Sequence, residues 1–370
     1  MAWPHVADES NLPTPALVLW QDTIAQNIDA MLAMVGGDPA RLRPHVKTHK
    51  LEPLVRLQIG RGITCFKAAT IAEAEMTADA GASDVLLAYP AVGPTVHRLL
   101  SLARKHPATR FSTLVDHPQS LTALEAAAHA SGLRIGAWLD IDCGQHRTGI
   151  APGPAATALH GSLAASSALE YRGLHVYDGH IHIADPIARR NAFDAAMKPF
   201  LEWRQQLIDH GLPIPSTVAG GSPTFPFHAE AGDGRQCSPG TTILWDAGYG
   251  GKFPDLPFLP AAVLVTRVVS KPTPGRFTID LGHKAVAADP APPRATILEC
   301  PDATFPSHSE EHLVVETPDA DSFSIGQVLH AIPMHICPTV ALHSEAVVVN
   351  GNGTIVATWP IAARARRLAV

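Results

Sequence analysis

Lys47 closes the apolar run RLRPHVK (residues 41–47), a place where a lysine is costly unless it reacts. A buried ammonium costs several kcal/mol if unpaired. A deprotonated amine there can condense with an aldehyde as a Schiff base. A solvated loop lysine is the plain alternative, and Lys50 is the local competitor. Two glycine-bearing turns lie much later, AGGSPT (219–224) and SPGTT (238–242). Backbone N–H groups and hydroxyls in such turns hold anions. Gly220, Gly221, Ser222 and Thr224, with Gly240 and Thr241, would form a phosphate cradle. Lysine and cradle together point to an aldehyde cofactor that carries a phosphate.

The chain has 20 histidines, most of them expected on the surface or in the core, so only patterned ones count. His335-Ile336-Cys337 is such a pattern. In a strand, residues i and i+2 point to one side, so His335 and Cys337 are expected to share an ion. Imidazole plus thiolate favours zinc or another borderline-soft metal, with positions left open for substrate oxygens. The alternative is a core cysteine beside an incidental histidine. His312 and His343 are further candidates that no spacing selects. Arg147, in DIDCGQHRTGI (140–150), could hydrogen-bond an anionic ring oxygen. Tyr177, His180 and His182, in HVYDGHIH (175–182), alternate towards or away from a cavity and could supply a general base. Asp142 and Asp178 read as structural acceptors at strand ends.

These groups must be held by something regular. RLRPHVK, TCFKAAT (64–70), SDVLLAYP (83–90), RFSTLVD (110–116), RIGAWLDID (134–142), LEYRGLHVYDG (169–179), STVAGG (216–221) and CSPGTTILWD (237–246) are short β-rich runs. Helical patterns near 51–60, 71–81, 96–105, 118–131, 153–166 and 189–210 separate most of them. Eight βα units over about 250 residues match a (β/α)8 TIM-type barrel, whose reactive groups sit at the carboxyl ends of the strands. After about residue 250 the runs AAVLVTRVV, RFTIDLG, EEHLVVE, QVLHAIP, EAVVVNG and TIVATWPIA alternate with PTPG, PDADS and NGNGT turns. That is an all-β domain. TPALVLW, before the barrel, could add a strand to it. The expected division is a cofactor-binding barrel over 20–250, with 1–19 plus 251–370 as a smaller β domain carrying the metal pair.

Composition narrows the function classes. The 370 residues are 46% hydrophobic and 17% charged, with a formal net charge of -6 and interspersed signs. No basic face for nucleic acid or an anionic membrane is implied. No apolar run reaches the roughly 18 residues of a membrane span, and the N-terminus lacks a leader pattern, so a cytoplasmic location is expected. Five scattered cysteines give no disulfide framework.

RPHVKTHK, IDCGQHRTG, VYDGH, GGSPT, SPGTTILWDAGY, DLGHK, SEEH and HICPTVALH, taken in order, resemble the D-threonine aldolases. These are similar in turn to the D-serine dehydratases and D-3-hydroxyaspartate lyases of the alanine-racemase-like, fold-type III pyridoxal-phosphate enzymes. The resemblance runs from about Pro13 to WPIAARAR. It implies pyridoxal 5′-phosphate on Lys47, Arg147 at the cofactor's phenolic oxygen, and Tyr177 and both glycine turns around the cofactor. It also implies a divalent metal (Mn, Zn or Mg) on His335 and Cys337, His180 as the base near the substrate hydroxyl, and a homodimer. The reaction implied is retro-aldol cleavage of D-3-hydroxy amino acids to glycine and an aldehyde. Some of these aldolases carry a carboxylate where this chain has Cys337. A thiolate there is similar to the zinc-dependent dehydratases, so ammonia-lyase chemistry is the alternative. A cofactor-binding protein without catalysis is a weaker one, since such proteins are a barrel alone. Racemisation would want a tyrosine from the β domain, and the last tyrosine is Tyr249.

Overall fold

The computed structural model describes residues 6–370. The first five residues of the expected β-domain segment 1–19 lie outside the described residues. Sixteen strands occur among the described residues, and β1 (Ala16–Trp20) comes first. There follow β2 (Cys65–Ala68), β3 (Asp84–Pro90), β4 (Arg110–Val115), β5 (Ile135–Ile141), β6 (Leu169–Val176), β7 (Thr217–Ala219) and β8 (Gln236–Cys237). These seven pair in sequence order as one parallel sheet. Helices such as Ile71–Asp79, Pro94–Lys105, Pro118–Ser131, Pro154–Ala164 and Pro186–Asp209 connect them. Four begin on proline, whose missing N–H and fixed φ suit a first helical position. Thr70 and Asp185 cap two of them by accepting from Glu73 N and Ala188 N. No helix among the described residues is long and apolar enough to cross a membrane.

The run RLRPHVK is not the regular strand its apolarity predicts. Short 3-10 turns, Pro39–Arg41 and Val46–Thr48, flank it, and only two parallel bridges remain, Leu42 to Cys237 and His45 to Lys67. Pro44 has no N–H to give a ladder. Its carbonyl still accepts from Lys67 N (2.9 Å), while Arg43 N reaches the Cys237 carbonyl (2.8 Å). The segment therefore joins β8 to β2 and closes the barrel. CSPGTTILWD is likewise shorter as a strand than expected, because β8 stops at Cys237 and Pro239-Gly240 turns the chain.

Register fixes which side chains face inward. Leu86, Leu114, Trp138 and Val218 form a buried cluster, so the barrel is packed rather than open. Lys67 pairs with Leu86, Asp140 with His175, and His175 with Val218. Neighbours in a parallel ladder share a face, so Lys67, Asp140 and His175 belong to the interior. Below them, buried Asp84 accepts from Arg43 (2.6 Å) and Arg172 (2.7 Å).

The β unit contains β9 (Ala262–Ser270), β10 (Arg276–Ile279), β11 (Ala295–Ile297), β12 (Thr304–His308), β13 (Leu313–Glu316), β14 (Val328–Pro333), β15 (Glu345–Val349) and β16 (Ile355–Pro360). β1 joins this sheet, parallel to β15 and antiparallel to β9, as the TPALVLW pattern allows. Val18, Trp20, Val263, Val265, Ile332, Val347 and Val349 are its core. The chain divides into two compact units. One holds the residues through Ala30, Thr48–Leu51 and Thr241–Arg364; the other holds Met31–Lys47, Glu52–Gly240 and Ala365–Val370.

Candidate active site

Lys47 sits half-buried in the 3-10 turn Val46–Thr48, its N–H donating to His45 Nδ1 (3.3 Å). Two residues before it, His45 bridges Lys67 of β2, a second lysine that is only 3% exposed. Tyr177 follows β6, and its ring collects several expected site residues. The Arg147 guanidinium lies 5.3 Å and the Lys67 ammonium 5.5 Å from the ring centroid. Gly221 passes close beside the same ring, where a Cβ would come within 3.0 Å of Tyr177 Cε2. Arg147 and His180 are exposed, and the His180 ring lies against Gly144.

The two glycine turns do meet. Ser222 Oγ accepts from Gly240 N (3.2 Å), and Ser238 N donates to the Ala219 carbonyl (3.0 Å). Gly220 has φ +83°, and a Cβ there would lie 2.3 Å from the His228 ring, so glycine is required on both counts. His228 is held behind this turn by Asp178 (2.9 Å) and Arg235 (3.1 Å). Burial pushes the Asp178 carboxyl up, but the His228 contact brings it net below its ordinary value. Asp178 is a structural acceptor, as read from the sequence. So is Asp142, which accepts from Gly144 N, His146 N and His146 Nδ1. Thr224 is buried at the start of the helix Phe225–Glu230 without spending its hydroxyl on the cap.

A phosphorylated aldehyde fits these residues. Ser238 Oγ is buried with no hydrogen-bond partner, although it stands where the two turns join. A buried hydroxyl left unpaired costs about 1–3 kcal/mol, which a bound anion would relieve. His175 Nε2 is a second buried atom without a partner, while its Nδ1 is bound to Asp140 (2.6 Å).

His335 and Cys337 come together by a different geometry from the strand alternation expected. β14 ends at Pro333; His335 is the N-cap and Cys337 lies in the first turn of the helix Ile336–Leu342. Asp246 Oδ2 anchors this turn through Ile336 N (3.0 Å). Cys337 is half-buried, with Thr48 Oγ1 at 3.2 Å and Thr241 Oγ1 at 3.6 Å from its sulfur. Burial pushes the thiol up, but the His335 and Thr48 hydrogen bonds, the imidazole charge and Thr241 bring it net below its ordinary value. His335 is raised to about 9, chiefly by its hydrogen bond to Cys337. Its Nδ1 lies 2.5 Å from Asp289, a carboxylate–imidazole contact of the kind that orients a histidine ring. No group of three or more His, Cys, Asp or Glu side chains placed for one ion occurs among the described residues. The donor types of this pair, a sulfur and an imidazole oriented by Asp289, fit a divalent ion. His343 is spent on the Ala285 carbonyl (2.8 Å).

The description "Alanine racemase, N-terminal domain" matches residues 20–246, and "Putative serine dehydratase domain" matches 261–349. A D-threonine aldolase of an Arthrobacter species is 30% identical over 363 residues, covering 96% of this chain and 93% of the relative. This chain belongs to the D-threonine aldolase family. A 3-hydroxy-D-aspartate aldolase of Paracoccus denitrificans strain Pd 1222 is also 30% identical, over 97% of this chain and 94% of its own length. The crystal structure of D-threonine aldolase from Filomicrobium marinum superposes with a TM-score of 0.90 at 28% identity, covering 98% of each chain. Within this family of carbon–carbon lyases, the barrel and β unit are the alanine-racemase-like architecture that the motifs implied.

Sequence reasoning missed Lys67, Asp140, His175, Ser238, Thr48 and Asp289. Lys67 carried the signal that marked Lys47, a lysine inside a short apolar run. His175 carried the signal of alternation, two residues before Tyr177. Thr48 and Asp289 carried none, because only the fold places them at Cys337 and His335.

Proposed function

We propose that this chain is a pyridoxal-phosphate- and divalent-metal-dependent aldolase that cleaves D-3-hydroxy amino acids to glycine and an aldehyde. The observation that carries the reading is the whole-chain similarity to two D-3-hydroxy amino acid aldolases, in a chain whose two glycine turns meet around the buried Ser238 hydroxyl. Lys47 would hold the cofactor aldehyde. Gly221, Ser222, Thr224, Gly240 and Thr241 would hold its phosphate, Arg147 its phenolic oxygen, and Tyr177 would lie at its ring. Bound there, pyridoxal phosphate would supply an electron sink for the pair left at the substrate Cα. A metal on His335 and Cys337 supplies Lewis acidity towards substrate oxygens, with zinc, manganese and magnesium as the candidates.

The chain's own groups do the remainder. His180, exposed beside Gly144, takes the proton of the substrate β-hydroxyl and passes it to solvent, and a solvent proton completes the new Cα–H bond of glycine. Arg147 keeps an anionic ring oxygen in place. A dehydratase reading also has specific support, in Cys337 and in the serine dehydratase domain match over 261–349. The aldolase reading is preferred because, over nearly the whole chain, two aldolases are 30% identical to it while a D-threo-3-hydroxyaspartate dehydratase is 24% identical.

Purified protein loaded with pyridoxal phosphate and manganese or zinc is expected to release acetaldehyde from D-threonine and none from L-threonine. An alcohol-dehydrogenase-coupled assay reads this directly. Equal rates with both enantiomers, or no acetaldehyde from either, would remove the proposal.

A further inference from the structure

The barrel buries a second amine that the proposed reaction does not use. Lys67 is 3% exposed on the inner face of β2, in register with Leu86. Its backbone bridges His45 and its N–H donates to the Pro44 carbonyl, so it lies on the strand next to the segment that ends in Lys47. No carboxylate pairs with its ammonium at ion-pair distance among the described residues, and the Tyr177 ring centroid lies 5.5 Å from it. An unpaired cation so deeply enclosed is costly.

We propose that Lys67 is a positioning residue for Lys47, accepting the Lys47 ammonium proton and so readying that amine to condense with the cofactor aldehyde. The idea rests on the reading of Lys47 as the cofactor lysine. In the transfer one N–H bond breaks at Lys47 Nζ and one forms at Lys67 Nζ, with no further reactant and no change in total charge. The groups around Lys67 suit both ends of that transfer. Lys47 and Arg43 disfavour a second cation there, whereas Asp140 and Asp178 favour it. Burial, followed by Lys47, lowers the Lys67 ammonium to about 7, so near neutrality the amine is available as an acceptor. His175 belongs to the same cluster, and burial, then Lys67, holds its imidazole below the ordinary value. With Nδ1–H given to Asp140, its unpartnered Nε2 is an open acceptor for the new ammonium. Arg147, across the Tyr177 ring, is the remaining cation of the cluster. An adjacent general base is one of the ways in which a weak nucleophile is activated.

The test is the rate at which visible absorbance develops when pyridoxal phosphate is added to the cofactor-free full-length protein, from about pH 6 to about pH 10. The wild-type rate is expected to rise with a midpoint near 7, the value to which Lys67 is lowered. In Lys67→Met the limb moves towards the ordinary lysine range, leaving the rate at about pH 7.5 lower by tenfold or more. Lys67→Arg, a fixed cation that cannot accept a proton, is expected to be equally slow. Circular dichroism checks that both variants fold. A wild-type limb in the ordinary lysine range needs no variant to overturn the proposal. An unchanged limb in Lys67→Met, or a normal rate in Lys67→Arg, also overturns it. Lys47→Ala separates the two claims. If it still develops the absorbance, the assignment of Lys47 fails and the role of Lys67 fails with it. If it does not, the Lys67 profiles decide the role of Lys67 alone.

Discussion

Lys47→Ala is expected to lose at least about 10³-fold of the aldolase activity, together with the visible absorbance of the lysine-bound cofactor. Position supports this. The lysine closes the segment that completes the barrel, and the turns joined at Ser222 and Gly240 offer a place for phosphate. The fold should survive, because Lys47 is only half-buried and makes no ion pair among the described residues. Removing its charge also takes a cation away from Lys67. An unshifted melting curve beside a lost absorbance band would assign the residue to chemistry. A band that persisted would move the cofactor to another amine, and Lys67 would be the first to examine. Lys47→Arg should be as inactive as the alanine variant, since a guanidinium stays protonated and cannot condense.

Cys337→Ala is expected to weaken metal binding by about 10²-fold or more and to lower activity correspondingly at limiting metal. The thiol is half-buried, and His335, Thr48 and Thr241 hold it below its ordinary value against the effect of burial. That arrangement favours the thiolate form relative to an ordinary cysteine. His335→Ala should match it for a related reason. Without the imidazole the buried thiol loses its first stabilising partner and rises, so both ligands fail at once. Cys337→Asp should keep the pair's charge but exchange a soft donor for a hard one. Retained activity with manganese or magnesium, and reduced preference for zinc, is the outcome expected. Metal content and activity after dialysis against a chelator, then after re-addition, read all three variants. A Cys337→Ala protein that kept both its metal and its activity would take the pair out of the mechanism.

Periodicity disclosed the βα repeats and the β unit because each helix and strand buries one face, which leaves a mark on local sequence. The closing segment was misread for a local reason. RLRPHVK is apolar enough for a strand, but Pro44 leaves it only two bridges. His335 and Cys337 lie together, but not through the strand alternation expected of them. Two-residue spacing brings side chains together in a strand, and the N-cap and first turn of a helix do so here by a hydrogen bond instead. β11 and β12 are too short or too polar to announce themselves, with Ala295–Ile297 only three residues long and Thr304–His308 largely exposed. What the sequence could not disclose was long-range placement. Thr48 is 289 residues from Cys337, and Asp289 is 46 from His335. Nothing local in either residue specifies its partner.

The bond that breaks is the centre of the account, and proton NMR of D-threonine incubated with the metal-loaded holoenzyme in heavy water follows it directly. Glycine and acetaldehyde are expected in equal amounts, with the glycine carrying solvent deuterium at its new Cα position. Formation of 2-oxobutanoate and ammonia instead would contradict carbon–carbon cleavage and assign this barrel to the dehydratase reaction.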